Sequence, residues 1–122
     1  MSDVPWCYLD APDLNRLDLA AVLIEEVIGT PYLVGSALTK PDHRDVDVRV
    51  IMIDQARFDG LFPRGMHDPL RHVLEVYFTD HLVRHTGLRI DFQIQDMETA
   101  NRYEGVRHPL GIYPYPASED RP

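Results

Sequence analysis

The chain has 122 residues, 44% of them hydrophobic and 26% charged, a balance typical of a folded globular protein and not of a disordered or membrane-embedded one. This length accommodates one domain, which we expect to span residues 1–122. Acidic residues outnumber basic ones by 20 to 12, and the net charge of −8 argues against non-specific binding to DNA.

The start of the chain and its cysteine content indicate a cytoplasmic protein. No apolar run reaches the roughly 18 residues of a membrane span, and the N-terminus lacks a positively charged region followed by an apolar stretch. Cys7 is the single cysteine, so an internal disulfide is excluded and a reducing compartment is expected. We interpret Cys7 as a small buried core residue.

The first predicted element is an amphipathic helix with Asp13 as its N-cap and with Gly29 and Pro31 at its end. Spacings of three and four residues define its apolar stripe. The stripe consists of Leu14, Leu17, Ala20, Ala21, Ile24, Val27 and Ile28.

A short strand over 32–34 follows this helix and stops at a turn formed by Gly35 and Ser36. Residues 39–44 are predicted to form a loop. The next strand, over 45–53, alternates between an apolar and a charged face. The apolar face has Val46, Val48, Val50 and Met52, and the charged face has Asp45, Asp47 and Arg49.

A stretch over 59–65 is interrupted by glycine and proline and precedes a second amphipathic helix. Asp68 is a suitable N-cap, Pro69 suits the first helical position, and Gly87 ends the helix. The predicted apolar face consists of Leu70, Val73, Leu74, Tyr77, Phe78 and Leu82.

The third strand shows the clearest alternation in the chain. Leu88, Ile90, Phe92 and Ile94 lie on one face, and Arg89, Asp91, Gln93 and Gln95 lie on the other. A short helix is predicted within 97–104, and the proline-rich tail from about residue 105 to residue 122 is predicted to lack regular structure.

These elements predict an α+β fold in which a small mixed β-sheet of three or more strands carries helices on one face only. The other face is then open. It would present the polar residues of both long strands, namely Asp45, Asp47, Arg49, Arg89, Asp91, Gln93 and Gln95.

Three carboxylates on this open face indicate a cation site. Asp45 and Asp47 are two residues apart on one strand and point the same way, about 6.5–7 Å apart. If the strand of Asp91 is adjacent, three like charges share one volume and require a positive partner. Oxygen ligands without cysteine or histidine favour Mg²⁺ or Mn²⁺, and Mg²⁺ usually binds substrate phosphates as well. A phosphate-bearing substrate is therefore expected.

The order of these motifs resembles the nucleotidyltransferase superfamily that includes DNA polymerase beta, the aminoglycoside nucleotidyltransferases and the minimal nucleotidyltransferases of bacteria. The matching segments read "LVGSALTKPDHRDVDVRV" and "LRIDFQI", and the resemblance covers about residues 14–95. It implies a nucleotidyltransferase-like fold of the minimal, single-domain type.

The resemblance also implies a role for each matching residue. Asp45, Asp47 and Asp91 would be the catalytic carboxylates and would hold two Mg²⁺ ions, with Mn²⁺ as a substitute. Asp91 would also accept the proton of the attacking hydroxyl. Gly35 and Ser36 would contact the β- and γ-phosphates of the nucleotide. Lys40 and Arg49 are candidates for further phosphate contacts.

The activity implied is transfer of a nucleoside monophosphate from a nucleoside triphosphate to a hydroxyl of RNA, protein or a small molecule, with release of pyrophosphate. Larger relatives select the acceptor with additional domains, so a protein partner or self-association is expected to complete the site. No membrane partner is expected.

Two other functions remain open at this point. The chain has Ala37, Leu38, Thr39 and Lys40 where many members of the family have an arginine after Gly-Ser, which favours a non-catalytic, antitoxin-like binding module on the same fold. A metal-dependent nuclease would also use clustered carboxylates, but it gives no role to Gly35 and Ser36.

Two other residue groups are assigned structural roles. His81 and His85 are four apart on the second helix, but no third zinc ligand is evident, so we interpret them as boundary residues. Trp6, Tyr8, Tyr113 and Tyr115 are interpreted as aromatic residues that attach the chain ends to the core.

Overall fold

The structure is a computed structural model that describes residues 7–111. Within that range the chain forms five α-helices, one 3₁₀ turn and four β-strands. In chain order these are α1 (Ala11–Val27), β1 (Pro31–Val34), α2 (Ser36–Thr39), β2 (Val46–Met52), α3 (Gln55–Leu61), the 3₁₀ turn (Gly65–His67), α4 (Pro69–Thr86), β3 (Ile90–Asp96), α5 (Met97–Ala100) and β4 (His108–Pro109).

The strands form one mixed sheet in the order β3-β2-β1-β4. Strands β2 and β3 are parallel, whereas β1 is antiparallel to both β2 and β4. Helix α4 connects the two parallel strands, as a parallel pair requires a long crossover. The predicted α+β class with a small mixed sheet is confirmed.

The core lies between the sheet and the pair of helices α1 and α4, which pack against each other. The apolar faces predicted for both long strands are correct, because Val46, Val48, Val50, Phe92 and Ile94 are all buried. Cys7 is also buried, as predicted, and burial raises the pKa of its thiol.

Helix α1 begins earlier than predicted, and Asp10, not Asp13, is its N-cap. The Asp10 carboxylate accepts a hydrogen bond from the backbone N–H of Asp13 at 2.8 Å. Pro12 suits this first turn because it has no N–H to satisfy. Similarly, Gly35 is the N-cap of α2, and Ser36 is the first helical residue.

Helix α3 was not predicted, because glycine and proline near its end favoured an irregular segment. Its N-cap Asp54 accepts hydrogen bonds from the N–H groups of Ala56 and Arg57 at 3.0 and 3.3 Å. The Arg57 guanidinium donates to the carbonyls of Ile28 and Val27 at the end of α1. Tertiary contacts therefore stabilise a helix that is too short to be stable alone.

Helix α4 begins and ends as predicted, with Asp68 as N-cap and Gly87 at its C-terminus. The prediction of its apolar face was only partly correct. Phe78 and Leu82 are buried, whereas Leu70, Val73 and Tyr77 are exposed. His81 is half-buried, and its Nε2 lies 2.9 Å from the carbonyl oxygen of Ala20, so it has the boundary position expected for it.

The segment after α5 is more ordered than predicted. His108 and Pro109 form β4 at the sheet edge, where proline is tolerated because one side of an edge strand needs no ladder hydrogen bonds. Leu110 donates its N–H to the carbonyl of Pro31 at 2.8 Å and is fully buried. Trp6, Tyr113 and Tyr115 lie outside residues 7–111.

Gly111 attaches the end of this segment to α1. Its N–H donates to the buried carboxylate of Asp18 at 3.1 Å, and its φ is 71°. A Cβ at this position would lie 2.8 Å from the carbonyl carbon of Ala21 and 2.9 Å from the nitrogen of Val22. Neither helix backbone atom is free to move away.

We expect Gly111→Ala to lower the free energy of unfolding by about 2 kcal/mol or more, because overpacking adds to the cost of a positive φ. Thermal denaturation would show a Tm lower by about 5 °C or more. Gly87→Ala is the matched control, because Gly87 has a φ of 72° but open space around a Cβ. Equal losses for the two variants would show that the contact with α1 contributes nothing.

Candidate functional site

Asp47 and Asp91 lie directly opposite each other on the parallel strands β2 and β3. Both lie near the start of their strands, so both belong to one end of the sheet. The register places their side chains on the face opposite the buried valines, as the alternation predicted. The structure therefore brings together two of the three predicted carboxylates in adjacent positions.

Gly35 lies against the Asp47 side chain. It follows Val34, which is the β1 residue paired with Asp47 across the antiparallel ladder. Gly35 has a φ of 77°, and a Cβ built on it would overlap Asp47 Oδ2 and lie 3.2 Å from Asp47 Cγ. Glycine at residue 35 therefore leaves room for the Asp47 carboxylate in its observed position.

Arg49 provides the positive charge between these carboxylates. Its Nη2 lies 3.5 Å from Asp91 Oδ2 and 3.9 Å from Asp47 Oδ1. Its Nη1 donates to the backbone carbonyls of Asp91 and Val48, at 2.5 and 3.0 Å. The Arg49 side chain is only 15% exposed, so its attraction for the carboxylates is weakly screened.

Asp45 belongs to the same end of the sheet but is more exposed. It precedes β2, and its Oδ1 lies 3.1 Å from the Nε of Arg89, which immediately precedes β3. Asp45 is close enough to Asp47 to act on its ionisation, as described next. The Asp45 side chain is half-exposed, so its pairing with Arg89 contributes little to stability.

Burial raises the pKa of Asp47 above its ordinary value of 3.8, and the negative charges of Asp91 and Asp45 raise it further. The Arg49 guanidinium opposes this shift but does not cancel it. The folded chain therefore holds the Asp47 proton to a higher pH than the unfolded chain does. The contribution of Asp47 to the free energy of unfolding therefore decreases as pH rises from its ordinary pKa through the raised pKa.

We expect Asp47→Asn to raise Tm at neutral pH, because asparagine removes this unfavourable ionisation. The increase should be about 1–3 °C, which corresponds to roughly 0.5 kcal/mol in a domain of this size. Thermal denaturation at about pH 4 and about pH 7 tests the sign. The advantage of the variant should be smaller at the acidic pH, and a larger advantage there would contradict this explanation.

A cavity of about 470 Å³ lies beside Asp47 on the same face of the sheet. Its floor includes Arg49, Ile51, Gln93 and Gln95, and its walls come from α2 and from the chain that follows α5. The open face predicted from the sequence is therefore only partly open. Helix α5 and residues 103–107 cover part of it.

The predicted site residues differ in their relation to this cavity. Gly35, Asp47 and Arg49 line it, whereas Asp45, Asp91, Ser36 and Lys40 lie outside its lining. Sequence reasoning missed Ile51 and Tyr103 as lining residues. Ile51 follows Asp47 and Arg49 on the same face of β2, so the alternation of this strand could have identified it. Tyr103 lies in the turn that follows α5, and no sequence pattern indicated a role for it.

The carboxylates fit a hard cation by their chemistry, since all three supply oxygen ligands and two are adjacent. Burial is the main cause of the raised pKa of Asp47, and the negative charges of Asp91 and Asp45 add to it, a repulsion that a bound cation would relieve. In residues 7–111, no three His, Cys, Asp or Glu side chains are grouped so as to hold a metal ion as they stand. In this arrangement the Arg49 guanidinium supplies the positive charge beside Asp47 and Asp91.

Comparison of the chain with protein-family models, curated proteins and solved structures finds no significant match. None of the helices within residues 7–111 combines the length and apolar character needed to cross a membrane.

Proposed function

We propose that this chain is a Mg²⁺-dependent nucleotidyltransferase with a nucleotidyltransferase-like fold. It would transfer a nucleoside monophosphate from a nucleoside triphosphate to a hydroxyl of RNA, protein or a small molecule. The observation that carries the proposal is the direct pairing of Asp47 with Asp91, with Gly35 packed on the Asp47 carboxylate. All three motifs of the resemblance thus meet at one end of the sheet.

In this proposal Asp45, Asp47 and Asp91 hold two Mg²⁺ ions. When bound, the ions would neutralise the phosphate oxygens and lower the pKa of the attacking hydroxyl. Asp47 is suited to be the shared ligand because it is two residues from Asp45 along the chain and directly opposite Asp91 across the sheet. Asp91 has a side chain that is 45% exposed, so it is accessible to an acceptor molecule.

The reaction is an in-line displacement at the α-phosphorus. The acceptor oxygen forms a bond to that phosphorus, and the bond to the bridging oxygen of pyrophosphate breaks. Asp91 takes the proton of the acceptor hydroxyl, and pyrophosphate leaves with the electron pair. Gly35 and Ser36 would bind the outer phosphates, with Lys40 near them on the loop that follows α2.

Arg49 would then exchange partners during binding. Its guanidinium now neutralises Asp47 and Asp91, and a cation at these carboxylates would take over that role. The released guanidinium suits a phosphate oxygen, because arginine binds carboxylate and phosphate with the same planar set of donors. Arg49 would thereby supply the positive charge that the segment after Gly-Ser lacks.

The same arginine favours a second candidate, a non-catalytic binding module on this fold. An internal guanidinium that satisfies both carboxylates removes the need for a metal. Such a module would act by binding a partner protein, as an antitoxin does, or a nucleotide.

A transfer assay separates these candidates. The protein is incubated with Mg²⁺, a cell extract and each nucleoside triphosphate, labelled in turn on the α- and the γ-phosphate. A nucleotidyltransferase attaches the α-label to an acceptor and releases the γ-label as pyrophosphate. Attachment of neither label, or attachment that persists in Asp91→Asn, would favour the binding module.

A further inference from the structure

The cavity beside Asp47 combines a polar floor with apolar walls. Gln93 and Gln95 lie on the floor, and Leu38, Ile51 and Ala100 add apolar surface. Its volume of about 470 Å³ is within the range of small-molecule sites. The carboxylate site occupies only one border of this space, so most of the cavity has no role in the displacement itself.

Gln93 and Gln95 form an amide pair in this floor. Gln95 is 3% exposed, and its Nε2 donates to Gln93 Oε1 at 3.4 Å. A primary amide has two donor hydrogens and one acceptor oxygen. The bond between the two side chains therefore leaves Gln95 Oε1 as an acceptor and Gln93 Nε2 as a donor for a ligand. The two groups belong to neighbouring side chains on one strand face.

Tyr103 adds an aromatic ring at the cavity. It lines the cavity and is 67% exposed, so its ring is accessible to a ligand. An aromatic ring stacks well on another planar ring. Ile51 is buried in the sheet and adds apolar surface to the same cavity.

We propose that this cavity binds the nucleobase of the nucleotide substrate, an inference that rests on the proposed function. Gln93 and Gln95 bond to an edge of the base that offers an adjacent donor and acceptor, as glutamine does with adenine in other settings. Tyr103 stacks on the face of the base. A sugar would satisfy the amides but has no aromatic ring to stack on Tyr103.

The position of the cavity agrees with this assignment. Asp47 and Arg49 line the same cavity as Gln93 and Gln95, so phosphates near the carboxylates and a base near the amides belong to one continuous space. The amides follow Asp91 on β3 by two and four residues, on the same strand face. Strand β3 would thus hold both the cation and the base.

Equilibrium binding of ATP, GTP, CTP and UTP with Mg²⁺, each compared with inorganic tripolyphosphate, tests the proposal. At least one nucleotide should bind about tenfold more tightly than tripolyphosphate. Gln95→Leu and Tyr103→Ala should each remove most of that difference, because a buried hydrogen-bond partner or a stacking ring is worth about a factor of five to ten. Tyr103 is exposed, so its variant tests the site without disturbing the core.

Matched controls are available outside the cavity. Gln55→Leu removes an amide from the exposed surface of α3, and Tyr77→Ala removes a ring that is 73% exposed on α4. Neither should alter binding. Tripolyphosphate that binds as tightly as every nucleotide, or binding unchanged in both cavity variants, would overturn the proposal.

The outcomes also distinguish this inference from the proposed activity. Base-dependent binding that requires Gln95 and Tyr103, without any transfer of the α-label, would retain the nucleobase site and reject the transferase. Transfer from all four nucleotides at equal rates, unaffected by Gln95→Leu, would retain the transferase and reject the nucleobase site.

Discussion

Asp47→Asn is expected to abolish nucleotidyl transfer, with a loss of at least about 10³-fold. Loss of an outer-shell partner of a metal ligand typically costs about 10–100-fold, and Asp47 would be a ligand itself. It is also the carboxylate that Asp45, Asp91, Arg49 and Gly35 all surround. The rate of α-label attachment under saturating Mg²⁺ measures the effect.

The thermal stability of the same variant shows whether a loss of activity is caused by the missing carboxylate or by unfolding. Asp47→Asn should be at least as stable as the unaltered chain, so loss of activity would not result from unfolding. Residues that cost stability but are needed for activity are characteristic of functional sites. Asp59→Asn is the matched control, because Asp59 is an exposed aspartate on α3 that bonds only to Gln55 among the described residues. Full activity in Asp47→Asn would eliminate the metal site.

Gly35→Ala is expected to reduce transfer by at least about 10²-fold and to lower the free energy of unfolding by about 1–3 kcal/mol, because a φ of 77° with a ψ of −150° is essentially restricted to glycine. The new Cβ would overlap Asp47 Oδ2, and the short aspartate side chain would have to rotate away. A carboxylate displaced by about 1 Å no longer orients the reacting groups, which is sufficient for such a loss. The rate of α-label attachment and the Tm are measured together.

Gly65→Ala is the control for this second variant. Gly65 has a φ of 67°, close to the 77° of Gly35, but a Cβ there meets nothing within 4 Å. Both alanines carry the cost of a positive φ, but the ψ of −150° at Gly35 belongs to a region that is essentially restricted to glycine, so Gly35→Ala should have the lower Tm. Activity is therefore measured at a temperature below both Tm values, where only Gly35→Ala should lose activity. Equal activities would mean that the contact of Gly35 with Asp47 has no functional role.

Much of the sheet could be predicted because alternation with a period of two depends only on local backbone geometry. That pattern correctly placed Asp47, Arg49 and Asp91 on the face opposite the buried valines. The sequence does not contain the register between distant strands, however. That Asp47 pairs with Asp91 and Val34 with Asp47 depends on tertiary packing of β1, β2 and β3.

The other differences between the sequence-based predictions and the structure have similar causes. The position of Arg49 between two carboxylates follows from the pairing of the strands, so alternation alone did not indicate it. Strand β4 has only two residues and exists because β1 offers a free edge. Helix α3 depends on its contacts with the end of α1 through Arg57. In each case a contact between distant segments overrides a weak local preference.

Anomalous diffraction from crystals grown with Mn²⁺ and a non-hydrolysable nucleoside triphosphate tests the central claim most directly. We expect a Mn²⁺ peak in contact with the carboxylates of Asp47 and Asp91, at metal-oxygen distances of about 2.0–2.2 Å. The Arg49 guanidinium should have moved from both carboxylates to a phosphate oxygen. A map without a peak at these carboxylates, and with Arg49 still bridging Asp47 and Asp91, would contradict the account and favour a non-catalytic module.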